Sequence, residues 1–375
     1  MNRRPTPKAV IVAGVGGILV VVGTTAQAGW LFVLAAGVLG LAVSGLIVSH
    51  RLAATEVGHV FPARARVGEA VPDELRIRGS GRRRLPLMRV EDRFPAFEPV
   101  AVASEPVTAG ETATAELSRV AVRRGVFTGG SAVLSTAAPF GLTRTKRETP
   151  ASGRLIVHPA WTELRDFPLP DTPAATADEA LAATRSGHGE VFAGVREYRP
   201  GDQRRWVHWR STARTGRLVV RELEEPALSP VVLVLAGHPA PEEEAVWESL
   251  VAAAASVGVY ALAEGRPLHC VCPGAEPLDR ATKTTLLDWC AGLDAPGAPA
   301  VEGIATAYGR WGRRCSFVVF GPPGEGVESA LAEARTRGAG ATTVYGTGDE
   351  TEPVAVPPGA RVVHPERELR ACLEA

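Results

Sequence analysis

Aromatic residues make up only 6% of this 375-residue chain, cysteine occurs five times and methionine twice, and the charges cancel, 41 Lys+Arg against 41 Asp+Glu. An odd, thinly spread set of cysteines argues against a disulfide framework. Cys270 and Cys272 stand two apart in an apolar run of strand character, so they share a face and would bridge only with distortion. No Cys/His group has zinc spacing. Zero net charge excludes a histone-like packing protein or an acidic tail protein. Also missing are Gly-x-Ser-x-Gly, a Walker A lysine and His-Glu-x-x-His, the eight histidines are scattered, and no cofactor or metal is implied. The 40 Gly and 30 Pro follow no collagen period and read as turns between short elements. With 45% hydrophobic residues a core can be built, and at about 150 residues per domain the length allows two or three domains.

Charge is absent where it matters most. From Ala9 to Val48 there are 40 consecutive uncharged residues, and a bilayer crossing takes roughly 20 apolar ones. Gly23 to Gly29 is the polar interruption, with Trp30 behind it as an interfacial aromatic. The pattern predicts a transmembrane hairpin over 9–51, with helices at about 9–24 and 29–48. Arg3, Arg4 and Lys8 precede the first span and His50-Arg51 follow the second, which places both termini and the rest of the chain in the cytoplasm, anchored in the inner (plasma) membrane. A cleaved signal peptide ending near Ala26-Gln27-Ala28, or a buried soluble hairpin, are the competing readings.

Residues 55–160 alternate over strand lengths, as in Asp73-Glu-Leu-Arg-Ile-Arg and Ala132-Val-Leu-Ser-Thr, with turn signals every ten or so residues. That spacing predicts a β-sandwich-like domain of six to eight strands. Residues 161–190, rich in Pro, Ala, Thr and Asp, read as a linker. From 226 to 375 the pattern becomes strand and helix in alternation: Val231–Ala236, Leu268–Cys272, Ser316–Phe320 and Thr342–Tyr345 as strands, and 242–257, with Gly258 near its end, 279–292, 325–337 and 366–374 as helices. This predicts a doubly wound α/β domain on a parallel sheet.

Between them, residues 191–225 are dense in arginine. Arg196 to Arg221 carries eight Arg against Glu197 and Asp202, interleaved with Tyr198, Trp206 and Trp209. Guanidinium groups bind carboxylates and phosphates in bidentate fashion and stack on rings. Pro200-Gly201-Asp202 is a turn signal that would cap a short helix from Gln203, with Arg205 and Trp209 on one face. Thr215-Gly216 would then start a hairpin or strand through Leu218-Val-Val. The arginines either pair with Glu197, Asp202, Glu222, Glu224 and Glu225 as an interdomain lock, or present a surface to an acidic partner, or bind phosphate.

Arg196-Glu197-Tyr198, Pro200-Gly201-Asp202, Arg205, Trp209, Ala213-Arg214, Gly216 and Val220-Arg221-Glu222 together resemble the signature of the bacterial domain of unknown function 58 family, as do Arg123 to Phe127, Pro139 to Leu142 and Val157-His158-Pro159 upstream. The resemblance implies a von Willebrand factor A-like domain at 226–375, a membrane hairpin ahead of a β-region, and a protein partner of the MoxR-type AAA+ ATPase kind. Such domains hold a divalent metal through Asp-x-Ser-x-Ser after the first strand. Ala236, His238 and Ala240 stand at those positions, so the site is degenerate and no metal is expected.

The reading that follows is a membrane-anchored, non-enzymatic adaptor or scaffold serving assembly or maturation of membrane or cell-envelope complexes. A hydrolase working in the crevice at the C-terminal edge of the α/β sheet is the alternative from another class. A third is an anion-binding module acting through the Arg-rich segment, although no nucleic acid is expected without a recognised fold for it.

Overall fold

The computed structural model describes residues 2–49, 52, 55–81, 84–137, 141–170, 191–202, 204–224, 229–236, 244–294, 300–311, 315–348 and 359–374. These fall into two compact units, Met1–Ala160 and Trp161–Ala375.

In the first unit a short strand β1 (Asn2–Pro5) leads into helix α1 (Pro7–Thr25), and α2 (Gly29–Ser49) returns beside it. Proline in the first turn loses only an N–H that no helix satisfies. The return is tight, with Gln27 at φ 51°. Glycines let the helices touch: a methyl on Gly16 would overlap Leu39, and one on Gly23 would press on Leu31 and Phe32. Gly14 and Gly17 face open space. Val10, Ile11, Ile18 and Val33 point outward and are exposed, so the pair is apolar all round rather than on one stripe. At 1.5 Å per residue α1 is about 28 Å long. It is long and apolar enough to cross a membrane, as by the same measure is Glu244–Ala263, which however is mostly buried in the second unit.

The rest of the unit is one mixed sheet. Strands β2 (Thr55–Val60), β3 (Arg64–Arg66), β4 (Ala70–Gly79), β5 (Met88–Arg93), β6 (Val100–Ser104), β7 (Thr112–Val120), β8 (Gly125–Thr136) and β9 (Thr143–His158) follow in sequence. Hydrogen bonding orders them β6-β5-β8-β9-β2-β4-β7, with β1 and β3 also on β9. Two pairings, β2 with β9 and β3 with β9, are parallel. The path curls until its end strands β6 and β7 approach each other, so the all-β region is a single, nearly barrel-like sheet. Its continuity comes from β8 and β9, of 12 and 16 residues, which bend at a bulge between Phe127 and Gly129 and serve both ends. Inward residues form two apolar clusters, one around Leu75, Ile77, Val90 and Leu134, the other around Val71, Phe94, Phe97 and Leu155.

The second unit holds a two-stranded ribbon, β10 (Val191–Glu197) with β11 (Val219–Glu224), and a five-stranded parallel sheet. The sheet is built from β12 (Val231–Leu235), β13 (Leu268–Val271), β14 (Ser316–Gly321), β15 (Ala341–Gly346) and β16 (Arg361–Val363) in the order β13-β12-β14-β15-β16. Between β10 and β11 lies α3 (Trp209–Thr215), and α4 (Glu244–Ala263), α5 (Lys283–Ala291), α6 (Ala300–Trp311), α7 (Glu325–Thr336) and α8 (Leu369–Glu374) follow. Alternation puts Leu233, Cys270 and Phe320 in one core with α4 and α5, and Val234, Phe317 and Val319 in the other with α6 and α7. The sheet is thus doubly wound, covered on both faces, which is why its strands read as unbroken apolar runs. No disulfide joins the cysteines among the described residues, and burial pushes the Cys270 and Cys315 thiols up.

Two expectations are corrected. Helix α4 does not end near Gly258 but runs on to Ala263. Gly258 is there for contact, since a side chain on it would collide with Leu286 and Leu233. The start of the expected linker is also core: Trp161, Leu164, Phe167 and Leu169 pack on the α4 side of the sheet, with Lys283 over the Trp161 ring at 4.2 Å. Residues 171–190 lie outside the described residues.

Candidate functional site

The arginine-dense segment folds as the β10–β11 ribbon with a small helical insertion. Arg196 pairs with Val220 and Glu197 with Val219 across the ribbon. The chain turns at Arg199 to Asp202, with Gly201 at φ 111°, a conformation that favours glycine. Asp202 closes the turn by accepting the Arg199 N–H at 2.8 Å and both Arg196 guanidinium nitrogens at 2.8 Å each. The Arg196 guanidinium, then the Arg199 N–H, hold the Asp202 carboxyl down at about 2. Glu197 takes Arg217 at 2.9 Å. Two of the expected internal pairs are therefore made.

The expected helix from Gln203 is not. Arg204–Trp206 is one 3₁₀ turn, after which Val207 bridges to Val220 and the His208 N–H bonds to the Val219 carbonyl. Val207, Val219 and Val220 are buried, and seating Val207 on β11 interrupts the helix. A new helix, α3, starts with His208 as its cap: His208 Nδ1 accepts the Ser211 N–H and meets the Ser211 hydroxyl at 2.8 Å. His208 is thus a capping residue. Helix α3 closes at Gly216, φ 70°, the left-handed C-terminal position where a side chain would be strained.

Arg205 and Trp209 consequently do not share a helix face. Arg205 lies over the Trp206 ring at 5.0 Å, while Trp209 opens α3 and is 68% exposed. Arg210 and Arg214, four apart on α3, form one exposed row. Among the described residues no ion pair engages Arg204, Arg210 or Arg214. Tyr198 is partly buried, and Pro200 is exposed in the turn. Arg221 and Glu222 lie on β11. Ala236 is buried at the end of β12, its N–H on the Phe320 carbonyl at 2.7 Å. His238 and Ala240 lie outside the described residues.

Two polar clusters escaped the sequence. In the first unit His59, Asp73, Asp92 and Arg119 form a buried quartet. His59 Nδ1 donates to Asp73 at 2.9 Å and Nε2 to Asp92 at 3.0 Å. Arg119 donates to Asp92 at 2.5 Å, to Asp73 at 3.2 Å and to the Glu98 carbonyl at 2.9 Å. Burial would push the His59 pKa down, but the hydrogen bonds to Asp73 and Asp92 and their charges prevail and raise it to about 9. Asp92 is likewise held low despite burial, by His59 and Arg119. Two cations thus meet two anions. The ligand atoms of His59, Asp73 and Asp92 are close enough to hold a metal ion, within 4.8 Å. Both ring nitrogens of His59 face carboxylates, and a metal here would have to displace a proton from one of them. The readable signal was charge at inward positions of the strand alternation: Val57-x-His59, Val71-x-Asp73-x-Leu75 and Val90-x-Asp92-x-Phe94.

The second cluster lies beside edge strand β13. Asp279 accepts from Arg310 through Nε and Nη2 and from the Trp311 indole N–H, and His269 lies 3.6 Å away. His269 Nδ1 instead accepts the Arg280 N–H at 3.2 Å, and burial lowers its pKa. With its proton on the far nitrogen, His269 forms no working dyad with Asp279.

Residues 194–266 match the family described as Protein of unknown function DUF58, a stretch running from the ribbon through α4. No curated protein matches the chain in sequence. Among solved structures, the CARDB domain of a Pyrococcus furiosus protein, in complex with di-metal ions, is 10% identical with a TM-score of 0.18, over 27% of this chain and 93% of that one. A GH20 exo-β-N-acetylglucosaminidase from Vibrio harveyi is 7% identical with a TM-score of 0.20, over 77% of this chain and 56% of that one. At these scores neither likeness assigns a fold or a chemistry.

Proposed function

We propose that this chain is a membrane-anchored, non-enzymatic adaptor. In this reading α1 and α2 cross the inner (plasma) membrane as a hairpin with both termini cytoplasmic, the second unit is a von Willebrand A-like domain with a degenerate metal site, and the ribbon insertion receives a protein partner. The partner class that the signature implies is a MoxR-type AAA+ ATPase, in assembly or maturation of membrane or envelope complexes.

The observation that carries the reading is α3: a short helix, locked by a cap, a glycine stop and a buried valine, that exposes an indole (68%) and also Arg210 and Arg214. Tryptophan and arginine dominate binding energy at protein interfaces, and leaving an indole in water gains a monomer nothing. The hydrolase alternative finds less support. Ligands of open parallel sheets lie where the strand order reverses, here between β12 and β14, and the described strand ends there are Ala236 and Gly321. A side chain on Gly321 would strike Val327 and the Ala236 carbonyl.

The test is affinity capture of the full chain from solubilised membranes. An AAA+ ATPase recovered with the native chain and lost with Trp209→Ala/Arg210→Ala is the expected result. Capture without any ATPase, together with a partner list unchanged by the double substitution, contradicts the reading.

A further inference from the structure

The outer face of the first unit's sheet carries a concavity of about 680 Å³ walled by strands β5, β8 and β9 and lined by Arg89, Ser135, Arg144 and Lys146 among others. Register explains the grouping. Arg89 pairs with Ser135 and Ser135 with Lys146, so two long cationic side chains flank one small hydroxyl residue. Rooted about 10 Å apart, two strand spacings, they can converge on a single anion above Ser135. Arg144 lies two residues along β9 from Lys146, on the same face.

Charge on this face is graded along β9. At one end Glu91, which also lines the concavity, is bound by Arg93 at 2.6 and 3.1 Å and is held low by Lys146 and Arg89 as well, so the concavity sets three cations against one carboxylate already paired with Arg93. At the other end Arg144 stands opposite Arg4 of β1, and Lys146 opposite Asn2. Like charges directly opposite each other in a sheet are destabilising, and an anion between them removes the penalty. The cationic end is also where the chain enters α1: Pro5 pairs with Thr143, and Thr6 bonds to the Gly141 and Leu142 carbonyls through its hydroxyl before Pro7 begins the helix.

We infer that this concavity binds the anionic phosphate headgroup of a membrane lipid, taken from the leaflet α1 enters. The inference rests on the reading of α1 as a membrane helix. A headgroup layer begins where the apolar helix ends, three to five residues from Arg4 itself, and the cytoplasmic leaflet is negatively charged.

The experiment is reconstitution of the full chain into vesicles of phosphatidylcholine with a minor share of phosphatidylglycerol, followed by detergent extraction and mass spectrometry of the retained lipid. Enrichment of phosphatidylglycerol by about fivefold or more over the bulk ratio, the effect of even one cation near a membrane surface, is expected. Arg89→Gln/Arg144→Gln/Lys146→Gln returns the ratio to bulk. Arg89→Lys/Arg144→Lys keeps the enrichment, which separates loss of charge from loss of fold, and Arg335→Gln, a change in the second unit, leaves it unchanged. Displacement of the retained lipid by inorganic phosphate would make this a free-anion site and overturn the lipid assignment. A chain that floats with vesicles yet retains lipid in the bulk ratio overturns this inference alone. A chain that floats with no vesicle overturns the membrane reading itself.

Discussion

The two units of this protein treat charge in opposite ways. In the first, His59, Asp73, Asp92 and Arg119 are buried at the seam between two apolar clusters, and every charge has a counter-charge within 3.2 Å. In the second, the ribbon pairs Arg196 with Asp202 and Arg217 with Glu197, while Arg204, Arg210 and Arg214 are exposed and make no ion pair among the described residues, and Trp209 is exposed too. Burial forces neutrality, because an unpaired charge in a core is costly. Exposure does not, so an unbalanced cationic surface records something other than folding. The quartet reads as architecture and the ribbon as an interface.

The largest test of that contrast is Asp92→Ala, which leaves two buried cations facing one carboxylate. A loss of about 3–5 kcal/mol in urea unfolding of the full chain in detergent is expected, with hydrogen exchange placing it in β2, β4 and β5. A loss under about 1 kcal/mol would mean that the quartet does not hold the sheet. Next in size is the pH response. The His59 pKa is raised above its unfolded value near 6.5, so its contribution is complete below that value and disappears as pH rises through about 9. Asp92 is depressed, and its contribution is lost as pH falls through its lowered value. On the order of 3 kcal/mol should vanish between about pH 6.5 and 9, and His59→Gln should abolish that slope.

Smaller in energy but more telling is Trp209→Ala/Arg210→Ala/Arg214→Ala. Unfolding stability should move by no more than about 0.5 kcal/mol, while partner retention falls about 30-fold, the equivalent of about 2 kcal/mol. If stability drops by more than retention, the ribbon is a folding lock and the contrast fails. Smallest is Gly216→Ala, which places a side chain at φ 70° and should cost about 1 kcal/mol, read as faster hydrogen exchange in α3 and β11.

What the sequence disclosed follows from how each element is buried. Strands covered on both faces, such as Val231–Leu235 and Ser316–Gly321, are continuous apolar runs and were legible. So was the uncharged stretch that becomes α1 and α2. Helix α6 was missed although its buried positions Ala300, Gly303, Ile304, Ala307 and Tyr308 keep the helical period, because three of the five are Ala or Gly and give the stripe little apolar weight. The curl of the first sheet depends on a bulge at Phe127/Gly129 and on parallel pairings with β9, which are tertiary facts without a local pattern. At the ribbon the arginines and tryptophans were visible, but not their arrangement: Val207 seats on β11 and divides one expected helix into two pieces. The quartet was missed because strand alternation was read for apolar residues, and its members are the charged ones at inward positions.

An adaptor of this kind requires that the α3 surface be occupied by a protein partner. A photoreactive benzoyl-phenylalanine placed at Trp209 of the full chain, irradiated in native membranes, tests this directly. A discrete protein adduct that disappears on Arg210→Glu/Arg214→Glu is the predicted result. No adduct, or one indifferent to both charge reversals, would contradict the claim that this surface is where the protein works.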